Sequence, residues 1–180
     1  MNNPWMELPG AGALDLRKAF GTFMTGVTVV TTRLADGQIR AFTANSFTSV
    51  SLDPALVLVC ILKNAASLEN FSNAADYSIS VLADHQWEVS NAFASRDPAV
   101  KTGAVSYLTQ NAIPHVEGCL SVLVCTTHQL IDAGDHVILL GRVKRFQSKE
   151  GSALGFFRGK YIQINGECPK ESPTLRCARA

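Results

Sequence analysis

No apolar run in the 180-residue chain approaches the ~20 residues needed to cross a bilayer as a helix, which sets aside a helical membrane protein. An excess of one charge is missing too. Sixteen basic against 15 acidic residues leave a net +1, so no sequence-wide field would draw the chain onto nucleic acid or an anionic membrane. The five cysteines include no C-x-x-C pair, and Cys60, Cys119 and Cys125 lie in apolar, strand-like runs where a reduced thiol packs as a small hydrophobe. The start Met1-Asn2-Asn3-Pro4-Trp5 lacks the basic residues and apolar stretch of a secretory signal. Together these set the expectation of a reducing cytoplasm.

Common catalytic signatures are absent as well. There is no G-x-G-x-x-G dinucleotide fingerprint and no G-x-S-x-G nucleophile elbow. Gly159-Lys160 fails as a phosphate loop, because Tyr161 replaces the required hydroxyl residue and Leu154 stands where the first glycine belongs. His85, His115, His128 and His136 are scattered without metal-ligand spacing, so no metal site is expected.

What is present describes a core-forming chain: 47% of residues are apolar and 17% charged, and 9 Phe outweigh 3 Tyr and 2 Trp. A single domain spanning residues 1–180 is expected, with a core at about 14–164 and an extended arm at 165–180. Leu14, Ala19, Phe20 and Phe23 recur at helical intervals and predict an amphipathic helix over 14–24. The β-branched run 27–32, the turn residues Asp36-Gly37 and the run 39–43 predict a hairpin. A continuous apolar stretch at 56–62 reads as a buried strand, followed by a helix carrying Leu68 and Phe71. Further strands are expected at 77–82, 120–127, 137–143 and 161–164, with a helix over 85–95 and a turn at 132–135. Strands joined mostly by turns favour a closed antiparallel barrel with peripheral helices, a mainly β fold, over a parallel sheet.

One segment is polar where its neighbours are apolar. Residues 41–54, read as Ala-Phe-Thr-Ala-Asn-Ser-Phe-Thr-Ser-Val-Ser-Leu-Asp-Pro, pack hydroxyls and amides that need partners if buried. A flavin supplies such partners along its pyrimidine edge, ribityl chain and phosphate, and Phe47, Val50 and Phe93 could bed its ring. The same residues also fit an exposed strand and a turn.

The ordered set Thr25-Gly26-Val27-Thr28-Val29-Val30-Thr31-Thr32, Thr43-Ala44-Asn45-Ser46-Phe47, Ser49-Val50-Ser51-Leu52-Asp53-Pro54 and Gly134-Asp135-His136 resembles the flavin reductase-like family, over about positions 14–164. That family includes the reductase components of two-component flavin monooxygenases, such as those paired with 4-hydroxyphenylacetate 3-monooxygenase. The resemblance implies an FMN-binding split β-barrel of antiparallel Greek-key type, working as a homodimer. FMN or FAD would lie near the subunit interface, with NADH or NADPH folded over it. Ala41 and Ala55 depart from the Gly and Pro common in relatives.

Carried over by position, the likeness puts Thr43, Asn45 and Ser46 near the isoalloxazine and Ser49, Val50 and Ser51 along the ribityl chain. Lys63, Asn64 and Ser67 would hold phosphate ahead of a helix N-terminus, where free N–H groups favour an anion. Phe93 would approach the ring, Phe157 and Arg158 would meet the dinucleotide, and His136 would face the nicotinamide as the one catalytic candidate. Each has a plainer alternative: Lys63 and Arg158 as solvated cations, Ser67 as a cap, Phe93 as core and His136 as a strand-end residue. The implied activity is NAD(P)H-dependent flavin reduction supplying a partner monooxygenase. Two alternatives stay open: a reductase that keeps its flavin and reduces a corrinoid or ferric complex, and a non-catalytic flavin- or haem-binding split barrel.

Overall fold

The computed structural model describes residue 8, residues 12–72 and residues 74–164; the expected arm at 165–180 lies outside the described residues. Helix α1 (Ala13–Phe20) is shorter than the sequence predicts. Gly21 N–H reaches back to Arg17 O at 2.9 Å, and the Thr22 hydroxyl donates to Ala19 O at 2.7 Å, so the last carbonyls are satisfied and the chain turns away. The apolar stripe also packs differently from expectation. No residue of α1 is buried, and Leu14 and Phe20 are 63% and 68% exposed.

After a short strand β1 (Thr25–Gly26), the expected hairpin forms from β2 (Thr28–Arg33) and β3 (Ile39–Ala44), with Val30 opposite Phe42. Its turn needs Gly37, whose φ is 84°, and Asp36 accepts from the Gln38 N–H at 2.9 Å. The chain then makes β4 (Thr48–Leu52) and β5 (Ala55–Leu62). Helix α2 (Ser67–Ser72), β6 (Tyr77–Val81), α3 (Trp87–Ala94) and α4 (Pro98–Ala104) follow. Two 13-residue strands, β7 (Ser121–Ala133) and β8 (His136–Ser148), form a long hairpin before β9 (Ala153–Phe157) and β10 (Lys160–Ile164).

All ladders are antiparallel, in a seven-stranded sheet of order β3-β2-β6-β7-β8-β5-β4 and a three-stranded sheet β1-β9-β10. The expected closed ladder is not formed, since β3 and β4 are the free edges of the larger sheet. Those edges are nevertheless consecutive in the chain, Ala44 ending one and Thr48 beginning the other. Laid flat, seven strands at ~4.8 Å spacing would separate the edges by ~29 Å. Four Cα steps reach at most ~14 Å. The sheet must therefore curl until its edges approach, and the Asn45-Ser46-Phe47 corner stands at the opening.

The core has two parts. Val29 and Val30, neighbours on β2 and hence on opposite faces, belong to different clusters. One includes Val89 and Phe93 of α3 and Ala104 of α4; the other includes Phe71 of α2, Tyr77, Ile79 and Leu139. Strand β5 was expected to be buried throughout. Instead Val57, Val59 and Ile61 turn inward, while Leu62 is 43% exposed and Leu56 and Leu58 are half-buried, because no element among the described residues covers the other face. Gly141 of β8 answers a close approach: a Cβ there would overlap the Tyr77 hydroxyl. Burial raises the pKa of that hydroxyl and, to about 12, that of the neighbouring Cys125 thiol. Among the described residues no helix is long and apolar enough to cross a membrane.

Candidate functional site

A cleft of about 720 Å³ opens beside the curl, between the end of β3, the end of β5, the start of α2 and the α3–α4 link. It brings together Thr43, Asn45, Ser46, Asn64, Ser67, Phe93 and His136, seven of the residues singled out from sequence. They divide into two kinds. Thr43 donates its hydroxyl to Ser90 O of α3 at 2.7 Å, and Ser46 Oγ accepts the Cys60 N–H of β5 at 2.9 Å. These two hold walls: Thr43 fastens β3 to α3, and Ser46 fastens the corner to β5. Phe93, 2% exposed, closes the floor and belongs to the core. The side chains of Asn45, Asn64 and Ser67 make no hydrogen bond among the described residues, so their polar atoms remain available to a ligand.

His136 stands at the rim, placed by the long hairpin. Gly134, with φ 65°, opens a two-residue turn, and His136 is the first residue of β8, opposite Leu62 of β5. Its Nδ1 lies 2.7 Å from Asp135 Oδ1. The hydrogen bond from His136, and then its charge, hold the exposed Asp135 carboxyl below its ordinary pKa, so the partner is a carboxylate that can only accept. Nδ1 is therefore the donor, leaving Nε2 for anything that enters the cleft.

Two cations missed in the sequence line the same cleft, Arg96 and Lys101, and among the described residues no carboxylate does. They sit on and before α4, a helix the sequence reading omitted. Asp97 caps it by accepting the Ala99 N–H at 2.8 Å, with Pro98 in the first turn. Asp followed by Pro was the available signal; it reads equally as a chain break. Partial burial lowers the pKa of Lys101.

The remaining candidates lie elsewhere. Lys63 is turned to Asp132 of β7, at 2.6 Å, and does not line the cleft. Ser49, Val50 and Ser51 are on the edge strand β4, outside both this cleft and the next. Arg158 and Gly159 form the two-residue β9–β10 turn, both with positive φ (48° and 79°), as a type I′ hairpin requires. Arg158 stacks 5.2 Å over the Phe157 ring, and its N–H donates to Gly21 O at 2.8 Å. This turn borders a second cleft of about 590 Å³, lined by Phe156 and Gly159 on one side and by Phe20, Phe23 and Phe47 on others. Asn45 and Ser46 line both clefts and join them. Among the described residues there is no cluster of His, Cys, Asp and Glu that could hold a metal ion.

Residues 20–165 match the family described as Flavin reductase like domain. The chain is 48% identical over 148 residues to the reductase component of a flavin-dependent trigonelline monooxygenase from Acinetobacter baylyi, covering 82% of this chain and 48% of that protein. It is 39% identical over 158 residues to an NADH-dependent flavin reductase from Rhodococcus, covering 87% of this chain and 89% of that one. Among solved structures it is similar to a Streptomyces globisporus NADH:FAD oxidoreductase in complex with NAD and FAD fragments, with a TM-score of 0.79 and 32% identity, over 87% of this chain and 94% of that chain. The chain thus spans about half the length of the trigonelline relative and nearly all of the Rhodococcus one.

Proposed function

The chain belongs to the flavin reductase-like family, and from that premise we propose that it moves a hydride from NADH to FMN or FAD seated in the larger cleft and hands the electrons to a separate monooxygenase. The observation that carries the reading is the composition of that cleft. Three unengaged amide and hydroxyl side chains, two cations without a carboxylate among them and an apolar floor match a polar heterocycle bearing a phosphate. Bound flavin would supply the acceptor atom N5 for hydride from the nicotinamide C4.

The chain's part is placement. Asn45 offers its amide at the corner where the two clefts meet, and Asn64 and Ser67 offer theirs at the start of α2. Arg96 and Lys101 are the cations for the phosphate, in place of Lys63, which is engaged by Asp132. Thr43 and Ser46 keep the walls fixed, which limits the reorganisation needed when the rings stack. His136, held at Nδ1 by Asp135, keeps Nε2 free for the nicotinamide. The turn carrying Phe157 and Arg158 borders the second cleft, which suits it to the dinucleotide.

A split β-barrel built as a homodimer is part of this reading, as are one domain across the chain and residence in the cytoplasm. The curled sheet with approaching edges supports the barrel. The dimer is supported by the apolar surface left on α1, the link after it and β4, where Phe20, Phe23 and Leu52 are 68%, 77% and 95% exposed. The free thiols of Cys60, Cys119 and Cys125 suit a reducing compartment. Anaerobic rapid mixing of the flavin-loaded protein with NADH tests the activity. Loss of the oxidised flavin's absorbance within the mixing experiment is expected, and an unchanged spectrum would overturn the proposal.

A further inference from the structure

The larger cleft does not end at its cations. It runs on into a second hollow of about 510 Å³ that shares Ala66, Ser67, Phe93, Arg96 and Lys101 with it. This extension adds a third cation, Arg40 on β3, and again no carboxylate among the described residues lines it. Among the described residues Arg40 has only neutral partners, Gln38 Oε1 at 2.7 Å and Ile39 O at 3.5 Å. Neither Arg96 nor Lys101 has an ion-pair partner among the described residues, and the nearby Asp97 is engaged in capping α4. Three like charges converging on one concavity repel one another unless an anion joins them, and more than one negative charge is needed to balance them.

Resting on the flavin reading above, we infer that this extension holds the second phosphate and the adenosine of FAD, so that the protein prefers FAD to FMN. A phosphate served by Ser67, Arg96 and Lys101 leaves Arg40 without a role, and FMN has only that one phosphate. A diphosphate continues toward Arg40, whose planar guanidinium can grip it with two N–H donors. Past Arg40 the walls become apolar: Ile39, Pro98 and Val105 face the hollow and can take a flat purine, with the Asn70 and Thr102 side chains at hand for its polar edge. The Thr102 hydroxyl already donates to Pro98 O at 2.9 Å, so it remains only as an acceptor.

The test is a fluorescence titration of FMN and FAD into wild type, Arg40→Ala and Arg40→Lys, with ADP as competitor. Wild type should bind FAD about tenfold or more tightly than FMN, the scale of one charge-assisted contact. Arg40→Ala should bring FAD to the FMN level and leave FMN unchanged, Arg40→Lys should fall between, and ADP should displace FAD. Equal affinities in wild type, or equal weakening of both flavins in Arg40→Ala with unchanged thermal stability, overturns the inference while the reductase reading stands. So does a change confined to NADPH against NADH, which would give the extension to the nicotinamide dinucleotide. Binding of neither flavin would remove both the inference and the reading beneath it.

Discussion

The two flanks of the curled sheet differ in how completely they are built. On the α2–α4 side every wall is tied: Thr43 to α3, Ser46 to β5, Asp97 to the first turn of α4, and Phe93 sunk in the core. On the α1–β4 side large apolar side chains face outward, with Leu52 95% exposed and no residue of α1 buried. A surface of the first kind is complete in one chain and waits for a small molecule. A surface of the second kind is left open among the described residues and, in the dimer proposed above, meets another protein surface, so substitutions on the two flanks should fail in different ways.

The largest effect should come from Phe93→Ala on the built side. Removing a fully buried ring costs about 3–5 kcal/mol, read as a lowered denaturation midpoint, and flavin binding should weaken with it. Leu52→Ala on the other flank should leave monomer stability within about 0.5 kcal/mol, because the side chain is exposed. An equal loss from both would erase the contrast.

Lys101→Ala comes next. Losing a charge-assisted contact should weaken flavin binding by about 1.5–3 kcal/mol while hardly moving the melting temperature. Its titration adds a sign. Burial lowers the Lys101 pKa, and only the ammonium form attracts phosphate. Affinity is therefore full at neutral pH and falls as pH rises through a value below the usual lysine one. Arg40 and Arg96 are the other charged groups that face the same hollow among the described residues. Lys101→Arg should hold its affinity to higher pH in the same titration; parallel profiles would show that Lys101 does not meet the phosphate.

His136→Ala should be smaller still, about 1–2 kcal/mol on the rate of flavin reduction by NADH at matched flavin occupancy, with flavin affinity nearly unchanged. Unaltered reduction kinetics would return His136 to a strand-end role.

The contrast also explains what could be read from the residues in order. The β2–β3 hairpin was legible because β-branched runs flank Asp36-Gly37, and turn chemistry of that kind is local. So was the gathering of Thr43, Asn45, Ser46 and His136, through a likeness of ordered motifs. Strand β4 is only one of the two readings that residues 41–54 allow, since an exposed edge strand rich in Ser and Thr carries no apolar alternation. Helix α4 was missed for a related reason: seven residues with Lys101, Thr102 and Gly103 in the middle show no apolar stripe, and with it went the two cleft cations. Lys63 reads in sequence as a phosphate ligand, since the partner that engages it, Asp132, comes from a hairpin far along the chain. Long-range charge pairing leaves no mark on local sequence.

In the proposed reading the cleft beside the Asn45–Ser46 corner holds the flavin through Arg96 and Lys101. The most direct measurement is a FAD fluorescence titration of wild type and of the Arg96→Ala/Lys101→Ala double variant at low ionic strength, with folding checked by circular dichroism. The account predicts saturable binding by wild type well below ~millimolar and a loss of at least about a hundredfold in the folded double variant. Equal binding by both proteins, or none by wild type up to ~millimolar, would contradict it.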